Sequence, residues 1–281
     1  MLTAVKQLLT PPRGMDIDFT QPTGAEALIS QDGVSWEVFA NPLSLYIGGI
    51  VAVLLELAEP SVGSGVWDHS SFKTDTYGRL QRTGHAAMIA VFAPKQDAAR
   101  MIARVVKMHE QVKGINYLGE PYYANDPQLL NWVQATAFFG FSTAFDHYIR
   151  PLNPQEKDLV FIEGQASARL FGATNTPHSW QEWEQFLQRM QPRLQDSQIV
   201  HDFVEVMQHA DILPKPFKWI QKLMIKAAVE ISPPHIQNFP SLKGLRLNPA
   251  EKILLKSLAI TTKLLPLDFM PPAQARRRMN A

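Results

Sequence analysis

The chain has 281 residues, which is enough for one large domain or two small ones. Hydrophobic residues make up 46% and charged residues 19%, a composition typical of globular proteins that excludes wholesale disorder. Lys and Arg number 27 against 26 Asp and Glu, so the charge balance does not indicate a nucleic-acid-binding protein. The absence of cysteine excludes disulfides, thiolate nucleophiles, Cys-based zinc sites, iron–sulfur clusters and thiolate-ligated haem.

The N-terminal residues lack the apolar core and the small-residue cleavage site of a secretory signal. The most apolar run is 43–57, which includes Glu56 and at about 15 residues falls short of the roughly 20 that span a bilayer. This run predicts a buried helix. We expect a cytoplasmic protein without a transmembrane segment, and we leave a peripheral contact with a membrane open.

In chain order, residues 1–25 form a predicted irregular arm, because Pro11, Pro12, Gly14 and Pro22 interrupt any periodicity. Helical periodicity dominates 26–270, and strand signals are scarce. The predicted helices cover roughly 43–58, 77–93, 95–113, 126–149, 154–171, 179–190, 196–210, 215–231 and 249–265. The basic residues 271–281 are predicted to be a solvated tail. Together these features predict an all-α protein with a single multi-helix globular domain.

The helix over 77–93 has an unusual face. Arg79, Arg82, Thr83, Ala86 and Ala90 share it at 100° per residue, so two guanidinium groups and a hydroxyl are followed by methyl-sized side chains. Small side chains let a flat or bulky ligand approach the helix, and arginines can hold an anion beside it. The same pattern also fits a helix-packing groove with arginines at its rim.

The next helix carries His109 in an apolar stripe with Ala98, Ile102, Val105 and Val112. The imidazole is therefore expected to point into the core, with Gly114 as the C-cap. Two interpretations remain open from the residues alone. His109 is either a hydrogen-bonded structural histidine or an axial ligand of a haem iron, for which neutral imidazole in apolar surroundings is well suited.

Motifs of nucleotide-binding proteins, serine hydrolases and zincins are absent from the sequence. The stretch 54–114 instead resembles the core of the MpaB-like oxygenase family, which includes the latex-clearing proteins, or rubber oxygenases. The resemblance lies in the turn Pro60…Gly65-Val66, His69-Ser70, the Arg79-x-x-x-Thr83 pair, and His109 with Val112 and Gly114. The segment 122–132, with Asp126, Leu129, Leu130 and Trp132, is also similar to the family.

The resemblance implies a globin-reminiscent domain that binds haem b, with His109 as the proximal iron ligand and Arg79 and Thr83 on the distal side or near the haem edge. It implies dioxygen-dependent cleavage of a carbon–carbon double bond in an isoprenoid substrate, giving carbonyl products. Arg82 stands where rubber-cleaving relatives can have a lysine, and a guanidinium is a poor iron ligand. His69 is expected in a loop, either as a distal hydrogen-bonding group or as a loop cap.

We therefore predict a haem b-dependent oxygenase that uses dioxygen and a hydrophobic, alkene- or isoprenoid-like substrate. The candidate catalytic residues are Arg79, Thr83, Arg82 and His69, and the candidate cofactor-binding residues are His109 as metal ligand, Arg79, Ala86 and Ala90. Two alternatives stay open: a haem protein of another kind, such as a peroxidase-like enzyme, sensor or carrier, and a cofactor-free helical binding protein.

Overall fold

The computed structural model describes residues 10–12, 14–262 and 267–280. These residues form thirteen α-helices and one two-stranded sheet, which confirms the predicted all-α class. The α-helices are α1 (Val34–Val38), α2 (Pro42–Ala58), α3 (Pro60–His69), α4 (Thr76–Phe92), α5 (Lys95–His109), α6 (Pro127–Tyr148), α7 (Pro154–Phe171), α8 (Trp180–Met190), α9 (Gln198–His209), α10 (Lys218–Ile231), α11 (Pro234–Gln237), α12 (Pro249–Thr262) and α13 (Pro271–Asn280).

Asn-Pro and Asp-Pro pairs begin several of these helices. The side chain of Asn41 accepts hydrogen bonds from the first backbone N–H groups of α2, and Asp126 and Asn153 do the same for α6 and α7. In each case proline follows at the first helical position, where its missing N–H costs no hydrogen bond. The local sequence therefore defines where these helices begin.

The helices α2 and α6 pack against each other at the centre of the molecule. They approach closely because Gly48 faces Gly140, and a Cβ atom on Gly48 would lie 2.7 Å from the Gly140 carbonyl oxygen. Trp132 on α6 is fully buried and donates from Nε1 to the Leu55 carbonyl oxygen of α2 at 3.1 Å. The Trp132 bond holds the half of α2 that carries Glu56.

The region after α5 differs from the prediction. The helix ends at His109 and not near residue 113, and Gly114 lies in strand β1 (Lys113–Ile115), antiparallel to β2 (Pro121–Tyr123). The prediction that Gly114 is a C-cap is therefore wrong. A Cβ atom at Gly114 would lie 2.9 Å from Tyr122 Oη, so the glycine allows the tyrosine ring to pack over the strand.

The prediction of a solvated tail over 271–281 is also wrong for the described residues, because 271–280 form α13. Arg278 is 1% exposed and donates hydrogen bonds to the backbone carbonyl oxygens of Phe19, Ala25 and Phe92. Arg276 and Arg277 are exposed. The basic segment thus joins the arm before α1 to the end of α4.

Residues 10–12 and 14–25 have no helix or strand. Residues 1–9 and 13 of the predicted arm, and 263–265 of the last predicted helix, lie outside the described residues. No single helix in the described part of the chain has the length and apolar character to cross a membrane. Taken together, α2 and α3 satisfy that criterion, with a bend of 108° between them.

Candidate active site

His109 is the last residue of α5, and its side chain is directed inward by the stripe that buries Ala98 and Ile102 completely. The ring atom Nδ1 is buried and has no hydrogen-bond partner among the described residues. Burial lowers the pKa of His109, the positive charge of Arg79 lowers it further, and the side chain of Asn125 opposes both. The imidazole is therefore neutral at pH 7, which is the form that binds metal ions.

Arg79 lies on α4 and reaches towards the interior. Its Nη1 donates to Thr83 Oγ1 at 3.1 Å, and the Thr83 hydroxyl donates to the Arg79 carbonyl oxygen at 3.0 Å. Its Nε is buried without a hydrogen-bond partner among the described residues. Burial lowers the pKa of Arg79, while the charge of Glu56 raises it. The structure thus brings Arg79 and Thr83 together and places Arg79 within electrostatic reach of His109.

Glu56 on α2 is a member of this site that the sequence did not assign. Burial raises its pKa to about 7, against the opposing effects of the Arg79 charge and of the Thr136 side chain. Its surroundings are densely packed with protein, and the side chain itself is half-buried. The signal was a lone carboxylate in the most apolar run of the chain, but no local pattern indicates its partner.

An apolar cavity of about 210 Å³ lies between α2, α4, α6 and α10, and Glu56, Arg79 and His109 are not among its lining residues. Its lining includes Val53, which is one helical turn before Glu56, and Thr83, which is one turn after Arg79. Its other lining residues are mostly aliphatic and aromatic: Pro42, Leu43, Leu45, Tyr46, Gly49, Ile50, Leu80, Gln81, Gly84, His85, Phe141, Phe203, Leu213, Phe217, Ile220, Met224 and Thr262. Glu56 and Arg79 therefore lie on α2 and α4, two of the helices that line the cavity.

Arg82 and His69, two of the predicted catalytic residues, form their side-chain hydrogen bonds away from Arg79, Thr83 and His109. Arg82 pairs with Asp75 at 3.3 Å and donates to Ser71 Oγ at 2.6 Å, so its guanidinium faces the segment before α4. His69 was expected in a loop, but it is the last residue of α3, and its Nε2 lies 3.1 Å from Tyr122 Oη. No hydrogen bond joins either residue to Arg79, Thr83 or His109 in the described part of the chain.

The turn Pro60…Gly65-Val66 of the resemblance is likewise helical, since it lies within α3. Glu59 caps this helix by accepting hydrogen bonds from the backbone N–H groups of Ser61 and Val62. The capped proline start explains why a helix forms where a turn was predicted.

The small residues of α4 lie further along the helix. Ala86 and Ala90 are half-buried, and neither lines the apolar cavity. His85 borders the cavity, and its Nε2 forms a 3.0 Å hydrogen bond with the Met15 carbonyl oxygen. That bond gives His85 a structural partner.

The donor set fits a haem. A haem requires one neutral imidazole for iron and cationic or hydroxyl donors near the ligand-binding side. His109 offers a neutral imidazole, and Arg79 offers a buried Nε that is unpaired among the described residues. A buried polar atom without a partner is rare, so the unpaired Arg79 Nε points to a site that accepts a polar ligand.

Comparison with known proteins gives one family. Residues 36–263, most of the chain, match the sequence model of a family described as ER-bound oxygenase mpaB/B′/rubber oxygenase, catalytic domain. This segment contains Glu56, Arg79, Thr83 and His109. No curated protein and no solved structure matches the chain significantly. The family match confirms the resemblance found in the sequence.

Proposed function

The chain belongs to the family of mpaB and rubber oxygenase catalytic domains, and on this premise we propose that it is a haem b-dependent oxygenase acting with dioxygen on a hydrophobic alkene or isoprenoid. Oxygenase activity is the property of the family. The observation that carries the proposal is the half-buried, neutral imidazole of His109, which ends an apolar helix stripe and lies within reach of the Arg79 charge.

His109 would hold the haem iron as the proximal ligand, because it offers a neutral nitrogen from an apolar stripe. Haem b, when bound, supplies the redox-active iron through which dioxygen is activated for attack on a carbon–carbon double bond. Arg79 presents a buried Nε–H that has no partner among the described residues, and Thr83 Oγ1 holds the guanidinium by accepting from Nη1 at 3.1 Å. Fixed donors of this kind stabilise negative charge that develops on oxygen during a reaction.

The apolar cavity supplies the proposed substrate site. A cavity of about 150 Å³ holds one benzene molecule, so about 210 Å³ suits an apolar segment of about eight carbon atoms. Burial of such a segment against Val53, Leu80 and Phe141 favours binding through the hydrophobic effect. Thr83 lines the same cavity, which would bring the substrate close to the reacting end of the site.

Glu56 is the proposed proton acceptor. With a pKa of about 7 it is a stronger base than an ordinary carboxylate and is still half-ionised at neutral pH. It could take a proton from a carbon next to the double bond and return it to the product, which leaves the proton count unchanged. Arg79 keeps the carboxylate form accessible by its positive charge.

The test is to purify the chain with haem supplied and to record its absorption spectrum after gel filtration. We expect a Soret band that is lost in His109→Ala and kept in His178→Ala, which removes an exposed histidine. With ¹⁸O₂ and a short isoprenoid such as geranylacetone, we expect labelled oxygen in carbonyl products detected by mass spectrometry.

Two results would contradict the proposal. One is a folded protein that never takes up haem. The other is a haem complex that survives His109→Ala with an unchanged spectrum, since this would place the ligand elsewhere. A haem complex that consumes no dioxygen with any alkene would instead favour a sensor or carrier.

A further inference from the structure

The side chain of Asn125 lies against the end of α5, in the segment between β2 and α6. Its Nδ2 donates to the Val106 carbonyl oxygen at 3.0 Å and lies 3.4 Å from Tyr123 Oη. A carbonyl oxygen accepts hydrogen bonds and cannot donate one, so the contact with Val106 determines which end of the amide is the donor. Asn125 Oδ1 is thereby left as a buried acceptor, and it has no hydrogen-bond partner among the described residues.

The buried Nδ1 of His109, three residues after Val106, has no partner either. The two side chains are close enough for Asn125 to affect the pKa of His109. A neutral imidazole has one N–H group, and an amide oxygen only accepts. The two atoms are therefore complementary, and a hydrogen bond between them would remove the free-energy cost of two buried polar atoms without partners.

We infer that Asn125 is the positioning residue of His109: its Oδ1 accepts a hydrogen bond from His109 Nδ1–H, which leaves the lone pair of the imidazole on Nε2. This inference rests on the proposed function only in one respect, namely that the group bound by Nε2 is the haem iron. A metal-binding histidine almost always has its second nitrogen held in this way, because the bond fixes both the tautomer and the ring orientation. The Val106 carbonyl and Tyr123 hold the amide in turn.

The first experiment uses the full chain without haem and ¹⁵N-labelled histidine. At pH 8, where His109 is neutral, two-dimensional ¹H–¹⁵N spectra report which ring nitrogen carries the proton, and His109→Ala assigns the signals. We expect Nδ1–H in the wild type. In Asn125→Ala the ring should shift towards Nε2–H, the tautomer that free imidazole side chains prefer in water. Asn125→Asp keeps an acceptor oxygen and should retain Nδ1–H.

The second experiment measures the dissociation constant for haem. Loss of a group that orients a metal ligand typically weakens metal binding about 10- to 100-fold, so we expect that loss in Asn125→Ala and a smaller one in Asn125→Asp. Asn131→Ala is the matched control. Asn131 is a buried amide that accepts from the Asn175 backbone N–H, so its loss affects stability without changing the His109 tautomer.

Nε2–H in the wild-type protein would overturn the inference, and this result needs no variant to fold. An unchanged tautomer in Asn125→Ala would overturn it as well. If Asn125→Ala changes the tautomer while the wild type never binds haem, the positioning role stands and the proposed function fails. The two ideas are therefore tested separately.

Discussion

Glu56 on α2 and Arg79 on α4 stabilise each other's charge across a helix interface. The positive charge of Arg79 lowers the pKa of Glu56, and the negative charge of Glu56 raises the pKa of Arg79, while burial opposes the charged form of both. Desolvation is the larger effect on the carboxyl group, because its pKa is still raised to about 7. The pair therefore contains a base whose ionisation responds to pH in the neutral range.

Replacement of Glu56 by glutamine tests this base. The carboxylate is the active form, so wild-type turnover should rise with pH through about 7 and level off above it. Glu56→Gln should lower turnover at pH 8 by about 10²- to 10⁴-fold and remove the dependence on pH near 7. Rates of dioxygen uptake with geranylacetone from pH 5.5 to 8.5 provide the measurement.

The matched control for that change is Glu205→Gln, which neutralises an exposed carboxylate and should leave the profile intact. The haem content of each variant, measured from its spectrum, must equal that of the wild type. Turnover that falls as pH rises through 7 in the wild type would be incompatible with Glu56 as a base.

Arg79→Ala should separate binding from reactivity. The haem should stay bound through His109, but turnover should fall, because the donors and the positive charge of Arg79 are lost. The pKa of Glu56 should move above 7 without its counter-charge, so the remaining activity should need a higher pH. Arg79→Lys keeps the charge and should shift the pH dependence of turnover less.

Arg82→Ala is the comparison for Arg79, since Arg82 pairs with Asp75 near the surface. It should change turnover by less than Arg79→Ala at the same haem content. Equal effects of the two substitutions would mean that the position of Arg79 beside Glu56 has no special role. Such a result would also favour Arg82 as a catalytic residue.

The sequence predicted most helices because their signals are local. Asn-Pro caps and apolar stripes of period 3.6 lie within single segments, and the same periodicity directed His109 inward. The partnership of Glu56 with Arg79 depends on how α2 packs against α4, and no local pattern contains that information. Gly114 was wrongly predicted as a C-cap for the same reason, since the Tyr122 ring that contacts it comes from a neighbouring strand.

Gly84→Leu tests the cavity. A Cβ atom at Gly84 would have no neighbour within 4 Å, and Gly84 lines the cavity, so a leucine side chain should occupy the space proposed for substrate. Leucine also favours the helical state over glycine by about 1 kcal/mol, so the substitution should not destabilise the protein. We expect an unchanged or higher melting temperature, unchanged haem binding and at least tenfold weaker binding of geranylacetone.

The shorter substitution Gly84→Ala serves as the graded control, with an intermediate loss of binding. Calorimetric titration with geranylacetone and thermal unfolding by circular dichroism give the two quantities. Binding that stays at the wild-type level in Gly84→Leu would show that the substrate enters the protein elsewhere.

Arg278→Ala tests the link between α13 and the rest of the molecule. The guanidinium donates to three backbone carbonyl oxygens, of Phe19, Ala25 and Phe92, and its loss leaves these acceptors without that donor. Buried hydrogen bonds to a charged group contribute about 1.5–3 kcal/mol each, and water can replace some of them, so we expect a loss of about 2–4 kcal/mol in the free energy of unfolding. Arg276→Ala, which removes an exposed arginine of the same helix, should stay within about 0.5 kcal/mol of the wild type. Urea unfolding followed by tryptophan fluorescence measures both. Equal stabilities of the two variants would mean that the basic segment contributes little to the fold, as the sequence alone had suggested.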